Sequence, residues 1–310
     1  MATVGIDVGG TKLSSVLRDH GNVLFPLLRP APIGSYDDLL LAIEDTVAGY
    51  RADHPIEAVG VCVAAWMSAD RELVRRSANL GWDDKPLRTD LAHRLELPVT
   101  VANDADAAAW GGYLDIGRPT GNLVALTLGT DVGGAVIIDG RLITGTHGVA
   151  GELGHLVIDP AGPRCVCGTH GCLATYASGT AMLRRARALA SESPGQFPML
   201  LSGTSSHDIT GLDIARAATD GIEGPLLLAE AATAIARASA LISRVIDHST
   251  LLLAGGASSI GAPLVHAVKS ALTDTELIGP VHPMPNILLV SDPDFAGARG
   301  AADFAARLLV

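Results

Sequence analysis

Aromatic residues are scarce: three Trp, four Tyr and four Phe make up 4% of the 310 residues. A core with so few rings has to rely on aliphatic side chains and close backbone packing. Abundant alanine and 35 glycines allow that closeness in an α/β arrangement. Positive charge is also short, with 22 Lys and Arg against 33 Asp and Glu and a net charge of -11. Affinity for a phosphodiester backbone comes mainly from Lys and Arg, so no nucleic-acid partner is expected. There are only four cysteines, three of them crowded together at Cys165, Cys167 and Cys172. This suits a reduced compartment and a metal better than a disulfide framework. No long apolar run occurs. The most apolar stretch, Leu251 to Val265, is broken by Gly, Ser and Pro and reads as a buried strand and turn rather than a membrane span. The opening Met-Ala-Thr-Val-Gly-Ile-Asp has neither the charged start nor the apolar run of a signal peptide, so a cytoplasmic location and no membrane partner are expected.

At this length and 48% hydrophobic content, two lobes of ordinary size are expected. Residues 1–117, completed by a closing helix at 298–310, form the expected N-terminal α/β lobe; 118–297 form the second. Short apolar runs predict strands at Val4–Val8, Leu13–Leu17, Ala58–Ala64, Val99–Ala102, Leu123–Leu128, Val132–Ile138, Leu251–Ala254 and Ile287–Val290. Helical spacing predicts helices at Asp37–Tyr50, Pro86–Leu95, Asp104–Tyr113, Gly179–Ser191, Glu223–His248, Pro263–Ala271 and Gly300–Leu309. Both halves open with strand, glycine turn and strand.

Asp7-Val8-Gly9-Gly10-Thr11-Lys12 can bring backbone N–H groups close to phosphate oxygens, with Thr11 and Lys12 adding a donor and a charge and Asp7 able to hold Mg²⁺. It lacks Walker A spacing, and alone it could be a plain hairpin turn. Gly129-Thr130 repeats the device in the second half. Asn103 and Asp104 stand where a strand ends and a helix begins. A carboxylate there can accept a substrate proton, and either residue could instead merely cap the helix. Asn79, in Asn-Leu-Gly-Trp, suits a sugar-lining loop or a simple turn. Gly255-Gly256 suits the nucleoside side of a nucleotide or a strand-to-helix turn.

His155, Cys165, Cys167 and Cys172 form a Cys₃His set, a usual structural zinc combination. Four protein ligands leave no open position, so the metal clamps a loop and fixes His155. The imidazole nitrogen not on zinc can then donate to a ligand. Glu152 lies three residues before His155, and the two share a side only if that turn is helical. His170 is a spare candidate ligand, and Cys62 reads as core.

Taken together, Asp7–Lys12, Asn79–Trp82, Asn103–Ala105, Leu128–Thr130, Gly151–His155 and Cys165–Leu173 resemble the ROK family of repressors and kinases, and within it the glucokinase-like sugar kinases. The resemblance spans nearly the whole chain. It implies a two-lobed actin-like ATPase (ribonuclease H-like) sugar-kinase fold with an interlobe cleft. It implies ATP and Mg²⁺ phosphorylating the primary hydroxyl of a hexose, and a homodimer. Asp104 is then the general base, and Asn79, Asn103, Asp104, Glu152 and His155 hold the sugar. Asp7, Gly9, Gly10, Thr11 and Lys12, with Gly129 and Thr130, take the phosphates, and Gly255 and Gly256 the adenosine.

The chain departs from the family pattern at four places. Ala174 stands where the family has Glu near the anomeric end of the sugar. Ala64-Ala65 replaces Pro-Gly, Asp131 replaces Gly, and Ala135 replaces a third glycine. A lost carboxylate-to-hydroxyl bond discriminates strongly, so Ala174 suggests a substrate altered at that end. Kanosamine and a C7-cyclitol of the 2-epi-5-epi-valiolone type are the alternatives to glucose. A non-catalytic sugar sensor is the second alternative. A repressor is not expected, because the first motif begins at Asp7. The donor, ATP or polyphosphate, and the role of Pro194–His207 are left open.

Overall fold

The computed structural model describes every residue except 11, 32–34, 78–79, 194–196, 198–204, 220–222, 274–282 and 310. Two compact units emerge. One holds Met1–Pro119, Leu142–Gly151 and Ser291–Val310; the other holds Thr120–Arg141 and Glu152–Val290.

In the first unit, β1 (Ala2–Val8), β2 (Lys12–Asp19) and β3 (Asn22–Pro30) form an antiparallel meander. Helix α1 (Tyr36–Arg51) leads to β4 (Ile56–Val63), parallel to β1. A small antiparallel sheet follows, of β5 (Trp66–Met67), β6 (Val74–Ser77) and β7 (Trp82–Lys85). Then come α2 (Leu87–Leu95), β8 (Val99–Asn103) and α3 (Asp104–Asp115), giving a main sheet of order β3-β2-β1-β4-β8. Ser35 caps α1 in a capping box with Asp38, and Leu39, Leu40, Ile43 and Val47 turn the helix's apolar face inward.

Strands β1 and β4 are covered on both faces, which suits their run of buried Val and Ile. The C-terminal helix, Ala296–Ala306, packs on them through glycines. A Cβ on Gly5 would strike the Ala298 carbonyl oxygen, one on Gly60 that of Ala301, and one on Gly111 that of Ala296. Gly300 meets the Ala107 carbonyl in the same way. Backbones therefore meet where other proteins place rings, as the scarcity of aromatics demands.

In the second unit, β9 (Leu123–Leu128), β10 (Val132–Ile138) and β11 (Arg141–Leu142) precede α4 (Ala174–Ala177), α5 (Gly179–Glu192), α6 (Gly211–Thr219) and α7 (Glu223–Ile246). Strand β12 (Thr250–Ala254), α8 (Ala262–Leu272) and β13 (Asn286–Leu289) complete it. The sheet order is β11-β10-β9-β12-β13, with β10 antiparallel and β12 parallel to β9. The two sheets thus share one plan. Asp139 and Gly140 both have positive φ (50° and 71°), as a tight hairpin turn requires. Helix α7 is long and apolar enough to cross a membrane, but 67% of its most apolar window is buried within the protein, which makes it a core helix.

Most expected elements are present within a few residues. The C-terminal helix starts four residues before the expected Gly300, at Ala296, because Ala296, Gly297 and Ala298 are small buried residues with no amphipathic signal. Strand β3, the β5–β7 sheet and α6 lie outside the expected set. Strand β3 is exposed along nearly its whole length and so lacks alternation. Much of Pro194–His207 lies outside the described residues.

Candidate active site

In the first unit, strand register assembles the candidate residues. Asp7, near the end of β1, pairs across the sheet with Cys62 of β4, and Cys62 pairs with Ala102 of β8. Asn103 closes β8 and Asp104 opens α3. Room for the Asp7 carboxyl comes from the C-terminal helix, where a Cβ on Gly297 would run into it. Burial, then repulsion from the neighbouring Asp104, pushes the Asp7 carboxyl up to about 7, while a hydrogen bond with the Cys62 thiol works the other way. Two carboxyl groups so placed are a ready setting for proton and cation chemistry.

Asn103 does act as a cap. Its Oδ1 accepts the Asp106 N–H at 3.0 Å and its Nδ2 donates to the Ala65 carbonyl at 3.1 Å. This fixes the strand-to-helix junction on which Asp104 sits. Arg71 anchors the same helical turn through Asp106, at 3.1 Å. In the first glycine turn, Gly9 N–H donates to the Lys12 carbonyl at 2.9 Å and Gly10 is open to solvent. Lys12 pairs with Asp294 at 3.6 Å, both side chains being exposed. Thr11 and Asn79 lie outside the described residues.

In the second unit, the turn Gly129-Thr130-Asp131 adjoins two other segments. Gly255 (φ 78°) lies against the end of β9, where an added Cβ would sit 2.8 Å from the Leu128 backbone N and O. The start of α5 also reaches the turn, with Gly179 N–H donating to the Gly129 carbonyl (2.7 Å) and the Thr180 hydroxyl to the Thr130 carbonyl (2.7 Å). Gly179, Thr180 and Gly297 were not legible as site-shaping residues; only the spatial neighbours identify them. Glu152, exposed, leads into a 3₁₀ turn, Leu153–His155. Gly154 presses that turn onto β10, since a Cβ there would strike the Val132 carbonyl oxygen. Glu152 and His155 therefore sit at opposite ends of one helical turn, bonded through backbone at 3.1 Å.

The ligand atoms of His155, Cys165, Cys167 and Cys172 all lie within 4.8 Å of one another. His155 Nδ1 is 3.6 Å from Cys165 Sγ, and Cys167 Sγ is 3.6 Å from Cys172 Sγ. Tetrahedral zinc–thiolate geometry requires S–S separations of about 3.8 Å, so the set is compatible with a zinc ion. Backbone bonds shape the loop: Gly168 N–H to Cys165 O at 3.0 Å, Cys165 N–H to Thr169 O at 2.8 Å, and Ile158 N–H to Gly171 O at 2.9 Å. The Thr169 hydroxyl, followed by its backbone, lowers the exposed Cys167 thiol to about 6, which favours the thiolate a metal needs. His170 instead places Nδ1 3.2 Å from the Gly162 carbonyl, outside the cluster. Because Nδ1 of His155 faces the thiols, Nε2 is the nitrogen left for another partner.

This architecture, with its paired sheets and glycine turns, is the two-lobed actin-like fold of the sugar kinases. The chain belongs to the ROK family, whose model matches residues 3–307. It is 34% identical over 310 residues to the glucokinase of Streptomyces coelicolor, covering 98% of this chain and 97% of that one. The ROK family glucokinase of Streptomyces griseus, solved in complex with glucose and AMPPNP, superimposes with a TM-score of 0.89 at 32% identity over 99% of this chain and 100% of that one. A ROK family transcriptional regulator, a homologue of the E. coli MLC protein, also matches, with a TM-score of 0.84 and 25% identity. This chain covers 76% of that regulator's length, and the regulator match spans 97% of this chain.

Proposed function

We propose that this protein phosphorylates the primary hydroxyl of a hexose or hexose-like substrate with ATP, using Asp104 as general base. It is a sugar kinase, a phosphotransferase with an alcohol group as acceptor. The observation that carries the Asp104 assignment is its place at the capped start of α3, beside Asp7 and at the carboxyl end of a parallel strand. Asp104 takes the hydroxyl proton as the sugar oxygen bonds to the γ-phosphorus and the bond to the ADP oxygen breaks. Asn103, restrained by its cap, holds sugar hydroxyls together with Asn79, Glu152 and His155. The glycine turns at Gly9–Lys12 and Gly129–Thr130 cradle phosphates, and Gly255-Gly256 leaves space for the nucleoside. Asp7 is the residue suited to hold Mg²⁺, which when bound neutralises charge on the transferring phosphoryl group. Zinc on His155, Cys165, Cys167 and Cys172 stiffens the loop that presents His155 Nε2.

A specialised substrate is the second reading. Ala174, 5% exposed at the start of α4, offers no acceptor to a sugar hydroxyl. Kanosamine or a C7-cyclitol of the 2-epi-5-epi-valiolone type would make the missing carboxylate tolerable. ADP release should be measured on glucose, mannose, N-acetylmannosamine, kanosamine and 2-epi-5-epi-valiolone. Fastest turnover on glucose would sink the specialised reading; turnover on none would favour a sugar sensor. On the best substrate, Asp104→Asn should lower kcat by about 100-fold or more, and a rate near wild type would refute the base assignment.

A further inference from the structure

The two glycine turns differ in charge. The first runs into Lys12; the second ends in Asp131. The second turn has already committed much of its backbone. Gly129 N–H donates to the Asp131 carbonyl at 2.9 Å, the Gly129 carbonyl accepts Gly179 N–H, and the Thr130 carbonyl accepts the Thr180 hydroxyl. Asp131 then turns its own carboxylate back: Oδ1 accepts the Val132 N–H at 2.8 Å. A donor that could have met an incoming anion is thus taken by an anion of the chain. Among the described residues no Lys, Arg or His forms an ion pair with Asp131, and its side chain is exposed. Among the described residues that charge is met by a backbone N–H and not by a cationic side chain.

We propose that Asp131 makes donor binding at this turn depend on a divalent cation, admitting a phosphate chain whose charge the cation has neutralised and disfavouring the bare anion. This rests on the reading that the second turn takes donor phosphates. Two like charges a few ångströms apart at a protein surface repel appreciably. A cation-masked phosphate chain meets less of that repulsion than the same chain without its cation.

Isothermal calorimetry tests this with AMPPNP and with tripolyphosphate, each with and without added Mg²⁺. Chelator is avoided so that any bound zinc stays in place. Asp131→Asn keeps an acceptor for the Val132 N–H and removes only the charge; Asp131→Gly removes both. The wild type should bind AMPPNP with Mg²⁺ and lose at least about tenfold more affinity than Asp131→Asn when Mg²⁺ is omitted. Without Mg²⁺, tripolyphosphate should bind about tenfold or more tightly to both variants than to the wild type. If AMPPNP binds the wild type but its metal dependence and the tripolyphosphate affinity are unchanged in both variants, the Asp131 proposal is overturned and the donor reading stands. If AMPPNP with Mg²⁺ binds none of the three proteins, both fall together.

Discussion

His248 shows how one residue can couple this fold to pH. It is 2% exposed, with Nε2 3.0 Å from Ser239 Oγ and Nδ1 3.3 Å from Ser243 Oγ. Burial lowers its pKa from 6.5 to about 4. The folded state thus holds the imidazole neutral, while the unfolded chain takes up a proton near 6.5. The stabilising contribution is complete above pH 6.5 and is lost as pH falls from there toward 4. The full span is on the order of 3 kcal/mol. Urea midpoints measured from pH 7.5 to 4.5 should fall in the wild type, and His248→Gln should flatten that dependence. An equal slope in both proteins would remove His248 from the account. For other residues the sequence allows two roles. Asn103 is the clearest case, for the structure gives it the capping role while leaving it at the head of the candidate site.

At the scale of elements, the C-terminal helix positions the catalytic candidates. It lies on β1, β4 and α3 through glycine-to-carbonyl contacts, and its Gly297 makes room for the Asp7 carboxyl. Overpacking a well-fitted core costs about 1–3 kcal/mol. Gly60→Ala places its Cβ on the Ala301 carbonyl oxygen, with backbone on both sides, so the cost should reach the upper end of that range or exceed it. Chemical denaturation should show a lowered midpoint with the slope unchanged. An alanine at Gly10, where nothing lies within 4 Å, is the matched control and should cost little stability. This packing was legible only as composition. Plentiful Gly and Ala announce close backbones, but which glycine meets which carbonyl depends on residues such as Gly5 and Ala298, nearly the full chain apart.

For the whole molecule, the zinc assignment gives the most direct count. Native mass spectrometry should find one zinc per chain, bound by three thiolates and one imidazole. With the metal in place, thiol reagents should find the cysteines largely unreactive: Cys62 is buried, and Cys165, Cys167 and Cys172 are held as ligands. After removal of zinc by a chelator, the exposed Cys167 should react first and the melting temperature should drop. Rapid modification of Cys167 in metal-loaded protein would count against the site. Local sequence determined the metal set, both glycine turns, the strand-to-helix junction at Asp104 and nearly every long element, because each depends on spacings within a few residues. Tertiary structure alone decided what those pieces face. It set Asp7 beside Asp104, brought Gly255 and the start of α5 to the Gly129 turn and excluded His170 from the thiol cluster. The physical reason is that strand order, register and side-chain direction are set by packing over the whole chain, and no short window of sequence contains them.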